Sequence, residues 1–353
     1  MSKKKHDIYM QRCLELATKG KGKVAPNPMV GAVIVYQNRI IGEGYHEQYG
    51  GNHAERNAIL SVAKSDEKYL PFSRIYVNLE PCSHHGKTPP CADFIIEKKI
   101  PFVIVGQKDP FVLVAGKGNK KLKNDGIKVL ENILEKKCRW LNRRFNTFHE
   151  KKRPYIILKW AETADGFMAS KEPTQKWISN ALAKKLTHKW RTEEQAILVG
   201  RKTAEIDNPQ LTARLWEGKQ PLRLVIDKDL SLNNDLHLFD AENKTVIFTK
   251  KEKQSSKNSL FLRLDFERNI LPQITEYLYA NNIQSLIVEG GKQVLNSFIS
   301  DNLWDEARIF IGSQSWGKGV AAPKLYDAIL EDEKKLGDNT LRFFRREKNI
   351  NTM

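Results

Sequence analysis

Strand-length apolar runs alternate with helix-like stretches along the whole of this chain, and that alternation restricts the fold more than any other feature. In the first half, PMVGAVIVY (28–36), RIYVNLE (74–80) and PFVIVG (101–106) read as buried strands. Short continuous apolar runs rich in β-branched residues suit a sheet covered on both faces. Helical spacing occupies residues 7–19 and 53–64, and another helix begins near Pro90. This β–α–β order predicts an α/β domain with a largely parallel sheet. The segment KKCRWLNRRFNTFHEKKR (136–153) is strongly basic and is followed by Pro154 and a new strand, YIILKWA (155–161). A boundary near residue 150 divides the chain into domains 1–150 and 151–353. The second half repeats the alternation with strands QAILVG (195–200), LRLVID (222–227), KTVIFT (244–249), SLIVEG (285–290) and EARIFIG (306–312). Its helices are predicted at 179–191, 272–281 and 291–300, and KKEKQSSKN (250–258) reads as an exposed loop.

The bulk numbers agree with two domains. A chain of 353 residues with 40% hydrophobic content can build two cores, since single cores rarely grow beyond ~250–300 residues. No run approaches the ~18 apolar residues of a membrane helix. Asp7 and Glu15 interrupt any apolar stretch near the start that a secretory signal would need, so a cytoplasmic protein is expected. In that compartment the four cysteines, Cys13, Cys82, Cys91 and Cys138, do not read as a disulfide framework. The net charge of +17, from 59 basic and 42 acidic residues, suggests an anionic partner. Much of the excess is lysine interspersed with acids, as in KSDEK, KKEKQSSK and EDEKK. That pattern reads as solvated surface. It fits a phosphate-bearing small substrate, with no nucleic acid and no membrane as partner.

The chemistry is concentrated in two short stretches, HAE (53–55) and EPCSHHGKTPPC (80–91). Together they have the parts of a zinc deaminase signature, in which the cysteines are usually two residues apart. Here eight residues separate Cys82 from Cys91. His53, Cys82 and Cys91 supply three ligands, the number at which a catalytic zinc keeps its fourth position open for water. Glu55 lies two residues beyond His53, where it can face the same pocket without binding the metal and shuttle protons during hydrolytic deamination. If His84 or His85 were a fourth ligand, the site would be closed and structural. A nucleic-acid base deaminase would share the chemistry, and a zinc-stabilised binding module would have no need of Glu55.

The flanking residues narrow this choice. NPMVGAVIV (27–35), GEGYH (42–46), HAERNA (53–58), LEPCSHHGKTPPC (79–91) and VAGKG (114–118), with LKWAETADG (158–166), KWIS (176–179), LVGRKTAEIDNPQLTAR (198–214) and VEGG (288–291), together resemble the bifunctional deaminase/reductase family of riboflavin biosynthesis. The long spacing between the cysteines is that family's variant of the signature. The resemblance implies an N-terminal cytidine-deaminase-like domain and a C-terminal dihydrofolate-reductase-like domain. It implies deamination of 2,5-diamino-6-ribosylamino-4(3H)-pyrimidinone 5′-phosphate, then reduction of the ribosyl group to ribityl, with Zn2+ and NADPH as cofactors. A dimer formed through the reductase half is also implied. Asn27 matches the asparagine that lies in the pyrimidine pocket, while His84 and Lys87 lie in the loop between the cysteines. The family commonly has Asp-Pro-Asn-Pro where this chain has DPFV (109–112). Asp109 is thus retained, but Phe111 lacks the polar contact of that asparagine.

In the second half, IVEGGKQVLNSF (287–298) reads as strand, Gly-Gly turn and helix, and such a turn lets a phosphate approach backbone N–H groups. The chain has no convincing G-x-G-x-x-G fingerprint. By resemblance, Gly291, Lys292, Gln293, Val294 and Leu295 meet NADPH, as do Ala161, Trp177, Thr203 and Asp207. Lys159, Gln175, Arg191, Leu211, Arg214 and Glu289 match positions on the substrate side. Arg191 and Arg214 have the forked geometry that suits a phosphate. Lys159, Asp207 and Glu289 are candidates for the proton that accompanies hydride transfer. The residues before Trp177, KEPTQK (171–176), depart from the Gly- and Ser-containing loop usual in the family.

Overall fold

In a computed structural model the chain divides between Lys152 and Arg153 into two compact units; the structure describes residues 3–83, 89–111, 115–170, 178–240 and 242–347.

The first unit runs α1 (Lys3–Thr18), β1 (Gly31–Tyr36), β2 (Arg39–Tyr45), α2 (Ala54–Leu60), β3 (Arg74–Leu79), α3 (Cys91–Glu97), β4 (Phe102–Gln107), α4 (Lys117–Asn124), β5 (Lys128–Leu130), α5 (Glu135–Leu141) and α6 (Arg143–Lys151). Its sheet order is β2-β1-β3-β4-β5. Period-two alternation explains the apolar strands. Ala32 and Ile34 of β1 join the core formed with Ala58 of α2, Ile95 of α3 and Leu122 of α4. Val33 and Val35 join a second core with Met10 and Cys13 of α1 and Cys138 of α5. Both faces are therefore covered, and Cys13 and Cys138 are buried free thiols.

The expectation of a largely parallel sheet needs correction here. β3, β4 and β5 are parallel, but β1 is antiparallel to both β2 and β3. The reversal after β1 is a two-residue turn, Gln37–Asn38, with φ of 45° and 66°. Positive φ at both central residues is the hairpin geometry that matches strand twist, and Gln-Asn is not the usual signal for it. The glycines of GEGYH then gain a reason. A Cβ on Gly44 would lie 2.3 Å from the Ala58 nitrogen, so glycine lets α2 pack directly on β2.

The second unit contains β6 (Tyr155–Glu162), β7 (Phe167–Ala169), α7 (Ala181–Glu193), β8 (Ala196–Gly200), α8 (Arg201–Asp207), β9 (Leu222–Ile226), β10 (Thr245–Thr249), β11 (Ser259–Arg263), α9 (Ile270–Ala280), β12 (Ser285–Val288), α10 (Lys292–Ser300), β13 (Glu306–Ile311), β14 (Val320–Ala321), β15 (Ala328–Leu336) and β16 (Asn339–Arg346). Nine strands form one sheet in the order β11-β10-β9-β8-β12-β6-β13-β16-β15. It is parallel from β11 through β13, and β16 and β15 close it as an antiparallel hairpin. Ile156 and Leu158 of β6 face Phe298 and Trp304, while Tyr155 and Ile157 face Trp190 of α7. The carboxyl ends of β6, β8 and β12 lie side by side, which is where open α/β sheets bind ligands.

Candidate active sites

Three elements of the first unit meet at one point. His53 is the extended residue capping α2, Cys82 follows β3, and Cys91 opens α3 after Pro90. His53 Nδ1 lies 3.5 Å from Cys82 Sγ and 3.4 Å from Cys91 Sγ, and all three donor atoms fall within 4.8 Å of one another. Bonds of ~2.0 Å to nitrogen and ~2.3 Å to sulfur would give donor separations of this size, so the set fits one zinc ion. Among the described residues no fourth His, Cys, Asp or Glu joins the group; His84, His85 and Lys87 lie outside the described residues. The thiol of Cys91 and the imidazole of His53 hold Cys82 well below the ordinary thiol range, against its burial. Cys91, as the donor of that pair, is pushed up.

Glu55 is buried at the start of α2. Burial, reinforced by the charge of Cys82, raises its carboxyl to about 7. Two further residues organise the surroundings, and sequence reasoning missed both. His46 donates from Nδ1 to the Asn52 carbonyl at 2.9 Å and meets Asn27 Nδ2 at 3.0 Å. Glu80 accepts the backbone N–H groups of Asp109, Gly116 and Asn119 at 3.2, 2.9 and 3.1 Å. Asp109 is buried and raised to about 7 by burial. Its carboxylate accepts the Phe111 N–H at 2.8 Å. The Phe111 ring packs against His149 with centroids 4.8 Å apart, an apolar contact at the position where the resembling family has asparagine.

The second unit gathers Lys159, Arg191 and Glu289. Glu289, just past β12, accepts from Arg191 Nε at 3.1 Å and Nη2 at 2.8 Å, and Lys159 Nζ lies 3.7 Å away. Burial opposes the charge on Glu289, but Arg191 and Lys159 outweigh it and hold the carboxyl at about 2. Burial lowers the Lys159 ammonium, Arg191 adds to this, and Glu289 opposes it. Arg191 also donates to the Thr212 carbonyl at 3.0 Å, so much of its fork is engaged within the protein. Arg214 is exposed. Leu211 is buried at φ 56°, which places it in a tight bend of the same loop. His188, one turn before Arg191, was not anticipated. Burial and the neighbouring Arg191 and Arg214 lower it to about 4, and its Nδ1 has no partner among the described residues.

A Gly-Gly turn leading into a helix N-terminus adjoins this cluster. Gly291 caps α10 with φ 61°. A Cβ placed there would lie 3.0 Å from Thr203 Oγ1, so the glycine keeps that approach open. Lys292, Gln293 and Val294 form the first turn of α10, whose N–H groups have no partner within the helix. Leu295 begins the internal bonding, to Gly291 O at 3.1 Å. Ala161 lies on β6 and Asp207 ends α8, with Asp207 raised by burial. Gln175 and Trp177 lie outside the described residues. Such a turn suits the phosphates of a nicotinamide dinucleotide.

Comparison with known proteins decides the family. The RibD C-terminal domain matches residues 154–339, and the cytidine and deoxycytidylate deaminase zinc-binding region matches residues 3–107. A riboflavin biosynthesis protein RibD from Aquifex aeolicus is 38% identical, with 96% of this chain and 98% of the relative aligned. The chain belongs to the RibD family. The RibD of Bacillus amyloliquefaciens is also 38% identical, over 90% of this chain and 87% of its own length. A Thermotoga maritima crystal structure, described as a diaminohydroxyphosphoribosylaminopyrimidine deaminase/5-amino-6-(5-phosphoribosylamino)uracil reductase, superposes with a TM-score of 0.89 at 37% identity, covering 98% of this chain and 99% of that one. Acinetobacter baumannii RibD gives a TM-score of 0.89 at 28% identity over 98% and 99% of the two chains. The fold is therefore that of RibD, with a cytidine-deaminase-like first domain and a reductase domain resembling dihydrofolate reductase. Among the described residues no helix is long and apolar enough to cross a membrane.

Proposed function

We infer that this RibD-family chain catalyses two successive steps of riboflavin biosynthesis, a zinc-dependent deamination and an NADPH-dependent reduction. Residues 1–150 are assigned the first step and 151–353 the second. The observation that carries the reading is the convergence of His53, Cys82 and Cys91 beside buried Glu55, in a chain whose other half holds the Lys159–Glu289–Arg191 cluster next to the Gly-Gly turn into α10. A base deaminase acting on nucleic acid would leave residues 154–339 without a role.

His53, Cys82 and Cys91 would hold the zinc, which supplies the Lewis acidity that makes water a competent nucleophile near neutral pH. Glu55 takes a proton from the attacking water and passes it to the ring nitrogen, then takes the proton of the new hydroxyl and passes it to the departing amine, leaving a carbonyl and ammonia. Asn27 contacts the pyrimidine edge. In the second half, Gly291 to Leu295 with Thr203, Ala161, Trp177 and Asp207 bind NADPH, the hydride source. Glu289 is held ionised and cannot donate at neutral pH, which leaves Lys159 and Asp207 as the groups that can supply the proton accompanying hydride transfer. Arg214 and Arg191, with Gln175 and Leu211, take the phosphoribosyl end. The substrate is a phosphorylated pyrimidine, the compartment the cytoplasm, and the assembly a dimer through the reductase half.

The test supplies the zinc-loaded chain with the diaminopyrimidinone ribosyl phosphate and NADPH, following ammonia and NADPH absorbance together. Ammonia release preceding NADPH oxidation is the expected result. Ammonia without NADPH loss would remove the second activity, and the absence of both signals would overturn the reading.

A further inference from the structure

Asn27 and His53 sit on different segments, and one buried side chain links them. His46 follows β2 and is 2% exposed. Its ring lies edge-on to that of His53, with centroids 5.4 Å apart. Its two nitrogens face unlike groups, the Asn52 carbonyl oxygen at 2.9 Å from Nδ1 and the Asn27 amide at 3.0 Å from Nε2. A carbonyl oxygen can only accept, so Nδ1 carries the proton. In the neutral imidazole Nε2 is then an acceptor, and Asn27 must donate to it through Nδ2. Turning the Asn27 amide over would set two acceptors 3.0 Å apart. The His46 tautomer thus decides which end of the amide is engaged. The Asn27 Oδ1 is left over, and it has no hydrogen-bond partner among the described residues.

We propose that His46 is a positioning residue that fixes the Asn27 amide with its carbonyl oxygen toward the pyrimidine, so that the deaminase half selects rings presenting a donor, an amino or ring N–H group, at that edge. The proposal rests on the reading that Asn27 lines the pyrimidine pocket. A site built around one acceptor discriminates strongly against rings that offer another acceptor, because one polar group is then buried unpaired.

The experiment measures kcat, KM and zinc content for deamination of the diaminopyrimidinone ribosyl phosphate by the full chain. The variants are His46→Ala, His46→Gln, His46→Asn, Asn27→Ala and the double variant with Ala at 27 and 46. A glutamine amide reaches the place of Nε2 and can still accept from Asn27. An asparagine amide reaches only the place of Nδ1 and can still donate to Asn52. Expected are a rise in KM of about tenfold for His46→Ala and His46→Asn, the size of one lost hydrogen bond, substantial recovery in His46→Gln, and full zinc content throughout. Adding His46→Ala to Asn27→Ala should change KM by less than about twofold, because a residue acting through another has no independent effect. Additive losses, better function from asparagine than from glutamine, or zinc loss on changing His46 would overturn the proposal. If Asn27→Ala weakens deamination while His46→Ala does not, only this inference falls. If Asn27→Ala has no effect, the pocket reading falls with it.

Discussion

Glu55 combines burial with a neighbouring cluster of one nitrogen and two sulfur donors, and burial keeps its carboxyl near 7. A glutamine there preserves shape and polarity but cannot carry a proton. Glu55→Gln should lower kcat for deamination by about 10²–10⁴, the usual contribution of a positioned acid–base group, with zinc bound stoichiometrically and NADPH-dependent reduction of supplied intermediate unchanged. Ammonia release and metal analysis on the same sample check this, and deamination surviving at wild-type rate would exclude Glu55 from the chemistry. The residues legible in the sequence were those whose type announces chemistry at close spacing, namely His53, Glu55, Cys82 and Cys91. Those that escaped act on distant partners. Glu80 receives three backbone N–H groups from residues 109 to 119, and backbone donors leave no trace in residue identity. His46 looks like an ordinary strand-end histidine until the fold brings Asn27 to it. Phe111 read as a departure from the family pattern, and only the structure gives it a partner, His149.

The turn between β12 and α10 owes its shape to two glycines. A Cβ on Gly290 would come within 2.8 Å of Val199 on β8, and Gly291 adopts φ 61° with Thr203 Oγ1 close by. A β-branched residue at 291 would meet a backbone penalty of roughly 1–3 kcal/mol and also crowd Thr203. Gly291→Val should therefore raise KM for NADPH by at least about tenfold while leaving ammonia release unaltered. Steady-state kinetics of the two half-reactions separate the effects, and an unchanged KM for NADPH would place the cofactor elsewhere. At this scale the sequence was informative where an element is buried on both faces, as in β1, β3, β6 and β8, since continuous apolar runs resist any other reading. β2, reached through Gln37–Asn38, carries Arg, Glu and two glycines and lacks the apolar signal. The β15–β16 hairpin was also missed, because β15 reads AILEDEKKL and is almost wholly exposed, so no alternation marks it. Residues 136–153 read as a basic boundary yet form α5 and α6, whose inward residues Cys138, Phe145 and Phe148 are diluted by lysine and arginine.

The whole chain keeps its two chemistries in separate units. The His53–Cys82–Cys91 group and Glu55 belong entirely to the first, while Lys159, Arg191, Glu289 and Gly291 belong to the second. Each unit has its own buried core, so each side-chain constellation is supported by packing within its own unit. Zinc removal is then a selective perturbation. Its binding energy acts on the segments that carry its ligands, all within the first unit. Dialysis against a zinc chelator should abolish ammonia release, and reduction of the deaminated intermediate supplied directly should continue within about twofold. The first unit should unfold at a lower temperature without the metal, because close-set Cys82 and Cys91 then lose the cation that both thiolates share. Calorimetry and NADPH oxidation on the same chelated sample read both effects, and adding zinc back should reverse the loss of deamination. A parallel loss of reductase activity would mean that the second site depends on the folded state of the first, which would overturn the assignment of two self-supporting active sites to two units.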